Sequence, residues 1–169
     1  MKSENIYLIG MMGSGKSTVG QLLSKKLNLE CIDMDNELER LMDMSIQMIS
    51  SEYGEKRFRM IESRFFREIT KAGQLIYATG GGIILDKSNR KIIKDKGISI
   101  FLDCSIDTLI KRIKKDKKIR PLIKDELTQN ITDIYNDRYS LYKECAQHTI
   151  DTSSLNEDQV IKEIVKCIH

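Results

Sequence analysis

Short apolar segments rich in β-branched and aromatic residues alternate along this chain with stretches in which apolar residues recur every three or four positions. The first pattern is typical of buried strands, and the second is typical of helices that bury one face. The predicted strands are residues 5–9, 29–33, 75–79, 98–103 and 148–151. Strands that alternate with helices predict an α/β fold, in which a parallel sheet is covered by helices on both faces.

The segment between the second and third predicted strands is too long for one crossover helix, and it contains no strand pattern. It is therefore predicted to be a helical insertion. Its clearest helix covers residues 55–72 and ends at Gly73, because an apolar stripe runs along it at steps of three and four. The stripe comprises Phe58, Ile61, Phe65, Ile69 and Ala72. Two further helices are predicted over about residues 127–145 and 157–168.

A glycine-rich loop with the sequence GMMGSGKS, residues 10–17, lies between the first predicted strand and a helical pattern. It matches the phosphate-binding consensus G-x-x-x-x-G-K-[ST], and a strand before it with a helix after it is the context which that motif requires. Its backbone N–H groups would surround a β-phosphate. Lys16 would reach the β- and γ-phosphates, and Ser17 would bind Mg²⁺. The alternative is a glycine-rich turn that only caps a helix.

Asp33 and Asp35 follow the second predicted strand, so their carboxylates are expected at the same sheet edge as the phosphate loop. One carboxylate can contribute to the Mg²⁺ shell, and the other can accept a hydrogen bond from an attacking hydroxyl. Asp35 could instead be only the N-cap of the next helix.

Three consecutive glycines, Gly80, Gly81 and Gly82, follow the third predicted strand and would bring backbone close to a ligand. A strand-to-helix turn also uses glycine, so the run alone is not diagnostic. Arg59 and Glu62 lie one turn apart in the predicted helix 55–72, where their side chains can point the same way. On position alone, these two residues are expected to form an exposed ion pair.

The net charge of the chain is +3, but the charge is unevenly placed. Residues 111–120 contain seven Lys or Arg residues and one acid, Asp116, with no interleaved aromatic residue. Such a run is a solvated face in some proteins and a nucleic-acid contact in others, and the absence of a nucleic-acid motif around it argues against nucleic acid here. The chain's only proline, Pro121, follows the run, and the stretch 114–125 is predicted to be a mobile basic lid.

The length of 169 residues suits one domain, and no linker-like segment divides the chain. Its apolar runs are far too short to span a bilayer, and its N-terminus has no signal-peptide pattern. Four scattered cysteines form neither a disulfide framework nor a zinc motif. We therefore expect a cytoplasmic protein without membrane contact, and a monomer because no surplus apolar face is evident.

Taken together, these residues closely resemble the shikimate kinase family, small P-loop kinases of the nucleoside-monophosphate-kinase-like group. The resemblance covers nearly the whole chain and rests on the order and spacing of its motifs. They are GMMGSGKS, Asp33-Met34-Asp35, Gly54-Glu55, Phe58-Arg59 with Glu62, Gly80-Gly81-Gly82, Arg120-Pro121-Leu122, and Arg138-Tyr139 before Leu141-Tyr142. It implies a three-layer α-β-α sandwich whose five-stranded parallel sheet has the order 2-3-1-4-5. It further implies a core of residues 1–33, 74–111 and 126–169, a substrate-binding insertion at about 34–73, and a lid at about 112–125.

The resemblance implies ATP-dependent phosphorylation of the 3-hydroxyl of shikimate, with Mg²⁺ as the metal. Asp35 would orient that hydroxyl and take its proton, while Lys16 and Arg120 would stabilise charge on the moving phosphoryl group. Implied ATP-binding residues are Gly13, Ser14, Gly15, Lys16, Ser17, Thr18, Arg120 and Arg112, the last stacking on adenine. Implied shikimate-binding residues are Asp35, Arg59, Glu62, Gly80, Gly81, Gly82 and Arg138. Ser17 and Asp33 would hold Mg²⁺.

The chain departs from the usual family pattern in three places. The family commonly has a proline in the loop after residue 151, where this chain has Ser153, Ser154 and Asn156. Asp43 stands where the family often has glycine, and aspartate tolerates a left-handed turn. The lid is one residue longer before Arg120 than in many members.

Other functions remain open at this point. A gluconate or nucleotide kinase of the same fold would share the phosphate loop, although a nucleotide kinase needs a larger base-binding insertion. A non-catalytic P-loop protein that contacts nucleic acid through the basic run would have no use for Asp35, Arg59 and Arg138 as a set. The combination of Arg59, Glu62 and Arg138 with the three glycines favours shikimate.

Overall fold

A single five-stranded parallel sheet forms the centre of the molecule, in the order β2-β3-β1-β4-β5. The computed structural model describes residues 4–70, 73–115 and 126–168. The strands are β1 (Asn5–Ile9), β2 (Cys31–Asp33), β3 (Ile76–Ala78), β4 (Gly97–Asp103) and β5 (His148–Asp151). The predicted fold class and the implied strand order are confirmed, and β1 and β5 have the predicted bounds.

Helices connect the strands and cover both faces of the sheet. They are α1 (Lys16–Leu27), α2 (Met34–Met42), α3 (Ile46–Tyr53), α4 (Glu55–Ile69), α5 (Lys87–Asp95), α6 (Ile106–Lys115), α7 (Glu126–Cys145) and α8 (Glu157–Ile168), with a short 3₁₀ helix at Ile83–Leu85. In the ranges that the structure describes, none of them is long and apolar enough to cross a membrane. The C-terminal helices agree with the prediction to within one residue.

Alternation of side chains along the strands creates two separate cores, which explains the three layers. Tyr7 and Ile9 of β1 belong to one buried cluster, and Ile6 and Leu8 belong to the other. The first cluster includes Phe66, Ile93, Leu109, Ile113, Ile131 and Tyr142 from helices α4 to α7. The second includes Val19, Leu23, Val160, Ile161 and Ile164 from α1 and α8. All five residues of β1 are buried, as expected of a central parallel strand.

β3 is one residue shorter than predicted at each end, and β4 begins one residue earlier. Two predicted boundaries are wrong by more than one residue, and local hydrogen bonds explain both. β2 begins at Cys31 because the N–H of Leu29 donates to the Ser24 carbonyl and completes the end of α1. α4 ends at Ile69 rather than at residue 72, and Gly73 is therefore not its stop signal. The hydroxyl of Thr70 donates to the Phe66 carbonyl at 2.8 Å, which satisfies a carbonyl of the last turn.

The predicted insertion is helical, and α2, α3 and α4 occupy it. Its helices have a small core of their own around Leu38, Ile49 and Phe58. Between α2 and α3 the chain turns at Asp43, whose φ of 50° lies in the left-handed region. The expectation that aspartate accommodates this turn in place of glycine is confirmed.

Candidate active site

The phosphate loop joins β1 to α1 at the carboxyl edge of the sheet, where α/β proteins bind their ligands. Gly10, Gly13 and Gly15 have φ values of 146°, 78° and 98°, which side chains with a Cβ rarely adopt. A Cβ on Gly10 would also lie 2.7 Å from the carbonyl oxygen of Leu102 in the neighbouring strand β4. The glycines are therefore required by the loop backbone, beyond the needs of an ordinary helix cap.

Lys16 is the first residue of α1, and it is only 9% exposed. Its Nζ donates to the carbonyl oxygens of Gly10 at 2.9 Å and Met11 at 2.7 Å. Burial lowers the pKa of Lys16 to about 8, against the opposing effect of the nearby carboxylates of Asp35 and Asp33. Its charge is thus held inside the loop and close to both acids.

A cleft of about 510 Å³ opens beside the loop. Residues 12–19 line one side of it, including the exposed Ser17 and Thr18. Asp33, Asp35 and Thr79, at or after the ends of strands β2 and β3, also line the cleft. The remaining lining residues include Arg112, Thr152, Leu155, Glu157 and Val160. The cleft therefore brings the predicted phosphate loop and the predicted acidic pair into one space.

The two aspartates at the start of α2 have different tasks. Asp33 is the N-cap, and its carboxylate accepts a hydrogen bond from the N–H of Asn36 at 3.1 Å. The alternative in which Asp35 serves as this cap is therefore wrong. Asp35 opens into the cleft, where the surrounding protein displaces water and raises the pKa of its carboxyl, while Lys16 acts to lower it. A carboxylate in this position is free to accept a proton or a hydrogen bond from a ligand.

Arg59 and Glu62 form an ion pair on α4, with Arg59 Nη1 and Glu62 Oε2 2.8 Å apart. The pair is not the exposed one expected from position alone, since Glu62 is 3% exposed. Burial raises the pKa of Glu62, and the adjacent Arg59 opposes that effect. Arg59 Nε also donates to Glu55 Oε1 at 2.7 Å, so the guanidinium is held in one orientation by two carboxylates.

Two of the three glycines, Gly80 and Gly82, lie against this ion pair, and Gly80 also lies against Asp35. A Cβ on Gly80 would overlap Glu62 and would lie 3.0 Å from Asp35 Oδ1. A Cβ on Gly82 would overlap the guanidinium of Arg59. None of the three has a positive φ, so Gly80 and Gly82 are required for close approach rather than for an unusual turn.

Arg138 reaches the same region from α7. The positive charge of Arg138 acts to lower the pKa values of both Glu62 and Lys16, although burial raises that of Glu62 overall. Arg138 is therefore within electrostatic range of both halves of the site. The Arg59–Glu62 pair lies against Gly80 and Gly82, and the charge of Arg138, which is far from the pair in the chain, acts on Glu62. The fold brings together a buried lysine, a free carboxylate and two arginines.

Arg112 connects the phosphate loop to the loop after β5. Its Nη2 donates to the carbonyl of Thr152 at 2.7 Å, and its Nη1 lies 3.4 Å from the carbonyl oxygens of Gly13 and Ser14. Arg112 lines the cleft, as its implied contact with adenine requires. The adenine contact itself stays a prediction. Arg120 and the rest of 116–125 lie outside the described residues.

Two contacts of the site were missed by sequence reasoning. Thr152 is 3% exposed, and its hydroxyl donates to the carbonyl of Asp103 at 2.9 Å, which joins the ends of β4 and β5 beside Arg112. Because Thr152 directly follows the predicted strand 148–151, its position could have indicated that it belongs to the site. Tyr142 belongs to a motif of the family resemblance, but nothing in its spacing indicates that its hydroxyl donates to the carbonyl of Gly81, because its position also fits an ordinary core residue.

Comparisons with known proteins agree over the length of the chain. A family model described as Shikimate kinase matches residues 12–169. The shikimate kinase of Caldicellulosiruptor bescii is 36% identical over 163 residues, which cover 96% of this chain and 94% of that relative. The shikimate kinase of Buchnera aphidicola subsp. Schizaphis graminum is 37% identical and covers 97% of this chain and 95% of its own length.

Solved structures give the same result. Shikimate kinase from Acinetobacter baumannii in complex with shikimate has a TM-score of 0.91 at 35% identity, covering 99% of this chain and 93% of that chain. A deoxyadenosine kinase from M. mycoides, at 19% identity and a TM-score of 0.63, shares only the fold. With the family match over residues 12–169 and relatives of this similarity, the chain belongs to the shikimate kinase family.

Proposed function

We propose that this chain transfers the γ-phosphoryl group of ATP to the 3-hydroxyl of shikimate, giving shikimate 3-phosphate and ADP. The observation that carries the proposal is the packing of the Arg59–Glu62 ion pair against Gly80 and Gly82 beside Asp35, with the charge of Arg138 acting on Glu62. Shikimate has one carboxylate and three hydroxyls, and fork-shaped guanidinium groups bind a carboxylate through paired, charge-assisted hydrogen bonds. Membership of the family supports the same substrate.

In this proposal the phosphate loop binds the triphosphate. The loop glycines hold the backbone open, Lys16 neutralises phosphate charge, and Ser17 and Thr18 lie at the start of α1 beside it. The hydroxyl of Ser14 is buried without a hydrogen-bond partner in the described part of the chain, which suits a group that bonds to a ligand. Gly13, Gly15 and Arg112 complete the proposed nucleotide site.

Kinases of this family use ATP, which implies a divalent cation, and we propose that it is Mg²⁺. Ser17 and Asp33 both line the cleft, and a hydroxyl with a carboxylate is the all-oxygen donor set that Mg²⁺ prefers. Among the described residues no cluster of three His, Cys, Asp or Glu side chains could bind a metal alone. That suits an ion held largely by phosphate oxygens and water. The ion would neutralise charge on the phosphates when bound.

The chemical step exchanges one phosphorus–oxygen bond for another. The 3-hydroxyl oxygen forms a bond to the γ-phosphorus, the bond between that phosphorus and the bridging oxygen breaks, and ADP leaves with the electron pair. Asp35 accepts the hydroxyl proton, for which its raised pKa is suited. Arg59 and Arg138 hold the carboxylate, and Glu62 orients Arg59. The N–H groups of Gly81 and Gly82 donate to oxygen atoms of shikimate, with Gly80 beside them. Lys16 and Arg120 stabilise charge on the moving phosphoryl group.

The direct test is a coupled ADP-release assay with shikimate, gluconate and nucleoside monophosphates offered in turn. Turnover that requires shikimate is expected. Turnover only with gluconate or with a nucleotide would assign the site to another kinase of the same fold. A salt-dependent gel shift with nucleic acid and no ATP turnover would instead support the non-catalytic alternative.

Removing Arg138 should weaken acceptor binding. In Arg138→Ala we expect KM for shikimate to rise about tenfold or more, since the carboxylate loses a charge-assisted hydrogen bond, with little change in KM for ATP. Steady-state kinetics with each substrate varied in turn measure this. Lys143→Ala is the matched control, because it removes an exposed positive charge from the same helix. A rise in KM for ATP instead would contradict the assignment of Arg138.

The pKa of Lys16 predicts an alkaline limit. Lys16 loses its charge as the pH rises through its pKa of about 8, so kcat/KM for ATP, which reports ionisations of the enzyme form that ATP binds, should fall above about pH 8. Initial rates at saturating shikimate over a pH series measure the profile. In Lys16→Arg the fall should disappear, although activity is lower, because arginine stays charged. The same alkaline fall in that variant would exclude Lys16 as its source.

We also propose the finer features of organisation that were expected from the sequence. The chain would act as one kinase domain, with a core, the insertion at about 34–73 and the lid at about 112–125. It would act as a cytoplasmic monomer without nucleic acid. Light scattering during gel filtration would test the oligomeric state, with a mass near that of one 19.5 kDa chain as the expected result.

A further inference from the structure

The carbonyl groups of the three glycines are all hydrogen-bonded, but their donors differ in kind. The carbonyl of Gly80 accepts from the N–H of Ile83 at 3.1 Å, and that of Gly82 accepts from the N–H of Leu85 at 3.0 Å. These bonds belong to the short 3₁₀ turn that follows. The carbonyl of Gly81 accepts from the hydroxyl of Tyr142, a side chain that lies on α7. Only this middle carbonyl depends on a distant residue.

The orientation of the Gly81 carbonyl decides where the next N–H points. In a trans peptide the C=O of one residue and the N–H of the following residue lie on opposite sides. When Tyr142 holds the Gly81 carbonyl, the N–H of Gly82 must therefore point away from Tyr142. Among the described residues, no protein acceptor pairs with the N–H groups of Gly81 or Gly82. The N–H of Gly82 is thus oriented by Tyr142, and both N–H groups are available to a ligand.

Tyr142 is itself rigidly held. It is fully buried, and its ring stacks on Phe101 of β4 with centroids 5.0 Å apart and an interplanar angle of 15°. Its hydroxyl also lies 3.8 Å from Met11 Sδ in the phosphate loop. Arg138 is one helical turn earlier on α7 and lowers the pKa of Tyr142, although burial raises that pKa to about 12 overall. One hydroxyl therefore links the glycine run, the phosphate loop and the helix of Arg138.

We propose that Tyr142 is a positioning residue that orients the Gly81–Gly82 peptide so that its N–H donates to the acceptor substrate. This inference rests on the proposed function, in which those N–H groups bind shikimate. Tyr142 acts through the backbone and does not itself contact the substrate. Its phenol remains protonated at the working pH, so it serves as a permanent donor.

The experiment compares Tyr142→Phe with Tyr77→Phe. Tyr77 is the matched control because it is also fully buried and also donates to a carbonyl, but that carbonyl belongs to Ile69 at the end of α4, at 2.7 Å, and not to the glycine run. Both variants should show a lower Tm, since each loses one buried hydrogen bond. Two further measurements separate them: hydrogen exchange of the backbone over residues 79–85, and steady-state kinetics with shikimate and ATP varied in turn.

In Tyr142→Phe we expect faster exchange over residues 79–85 and a rise of about tenfold in KM for shikimate, with KM for ATP within about twofold of the wild type. Tyr77→Phe should change neither quantity. Unchanged exchange over 79–85 in Tyr142→Phe, or a KM for shikimate raised equally in both variants, would overturn the proposal. If the wild type does not phosphorylate shikimate, the proposed function fails, and the exchange comparison still decides whether Tyr142 holds the glycine run.

Discussion

Asp35→Asn is expected to lower kcat by about 10²-fold or more while ATP still binds, because an amide cannot accept the proton of the attacking hydroxyl. The structure makes this a test of chemistry rather than of folding. Asp33 carries the N-cap hydrogen bond of α2, so the start of that helix is intact in the variant. Lys16 keeps its two loop carbonyl partners and its approach to phosphate.

The control for Asp35→Asn is Glu37→Gln. Both substitutions change a carboxylate to an amide on α2, but Glu37 pairs with Arg40 at 2.6 Å on the solvent side. Exposed ion pairs of this kind contribute little to the free energy of unfolding, and Glu37 lies outside the proposed site. Glu37→Gln should therefore leave kcat and Tm close to the wild type. For both variants, ADP release is measured with and without added shikimate, and ATP binding is measured separately. Normal kcat in Asp35→Asn would remove Asp35 from catalysis.

Gly82→Ala is expected to reduce kcat/KM for shikimate by about 10²-fold, because two charge-assisted hydrogen bonds from a displaced guanidinium would be lost. The added Cβ would occupy the space of the Arg59 guanidinium, which is held by Glu55 and by the buried Glu62. The guanidinium must then leave that position. Steady-state kinetics measure the loss, and thermal melting confirms that the variant is folded.

A double mutant separates this explanation from a general disturbance of the loop. Once Arg59→Ala has removed the guanidinium, Gly82→Ala has nothing to displace. The double variant should therefore be no worse than Arg59→Ala alone, a strong departure from additivity for two residues in contact. Additive losses would show that Gly82 matters for another reason, such as its own approach to the substrate.

The motifs explain why so much of the site could be anticipated. The phosphate loop is defined by a short run in which each glycine meets a local backbone requirement, and its three positive φ values follow from that run. Asp35 follows a strand, and the carboxyl ends of parallel strands meet at one edge. These inferences need only the order of residues along one or two elements.

Other features escaped because they depend on packing between distant elements. Nothing near Glu62 in the chain indicates that α4 would bury it against Gly80. Position alone therefore favoured an exposed pair. The same holds for Tyr142, whose spacing fits the apolar side of α7 and whose hydroxyl finds Gly81 only in the folded chain.

Local patterns thus sufficed for the strands, the helices, the sheet class and the phosphate loop, because periodicity and backbone geometry act over a few neighbouring residues. Tertiary packing alone decided that the Arg59–Glu62 pair is buried and that Tyr142 reaches the glycine run. Burial and close approach are properties of surfaces that meet only when the chain has folded. The loop for the donor could be found in the sequence, whereas the shape of the acceptor site depended on the contacts of α4 and α7 with the three glycines.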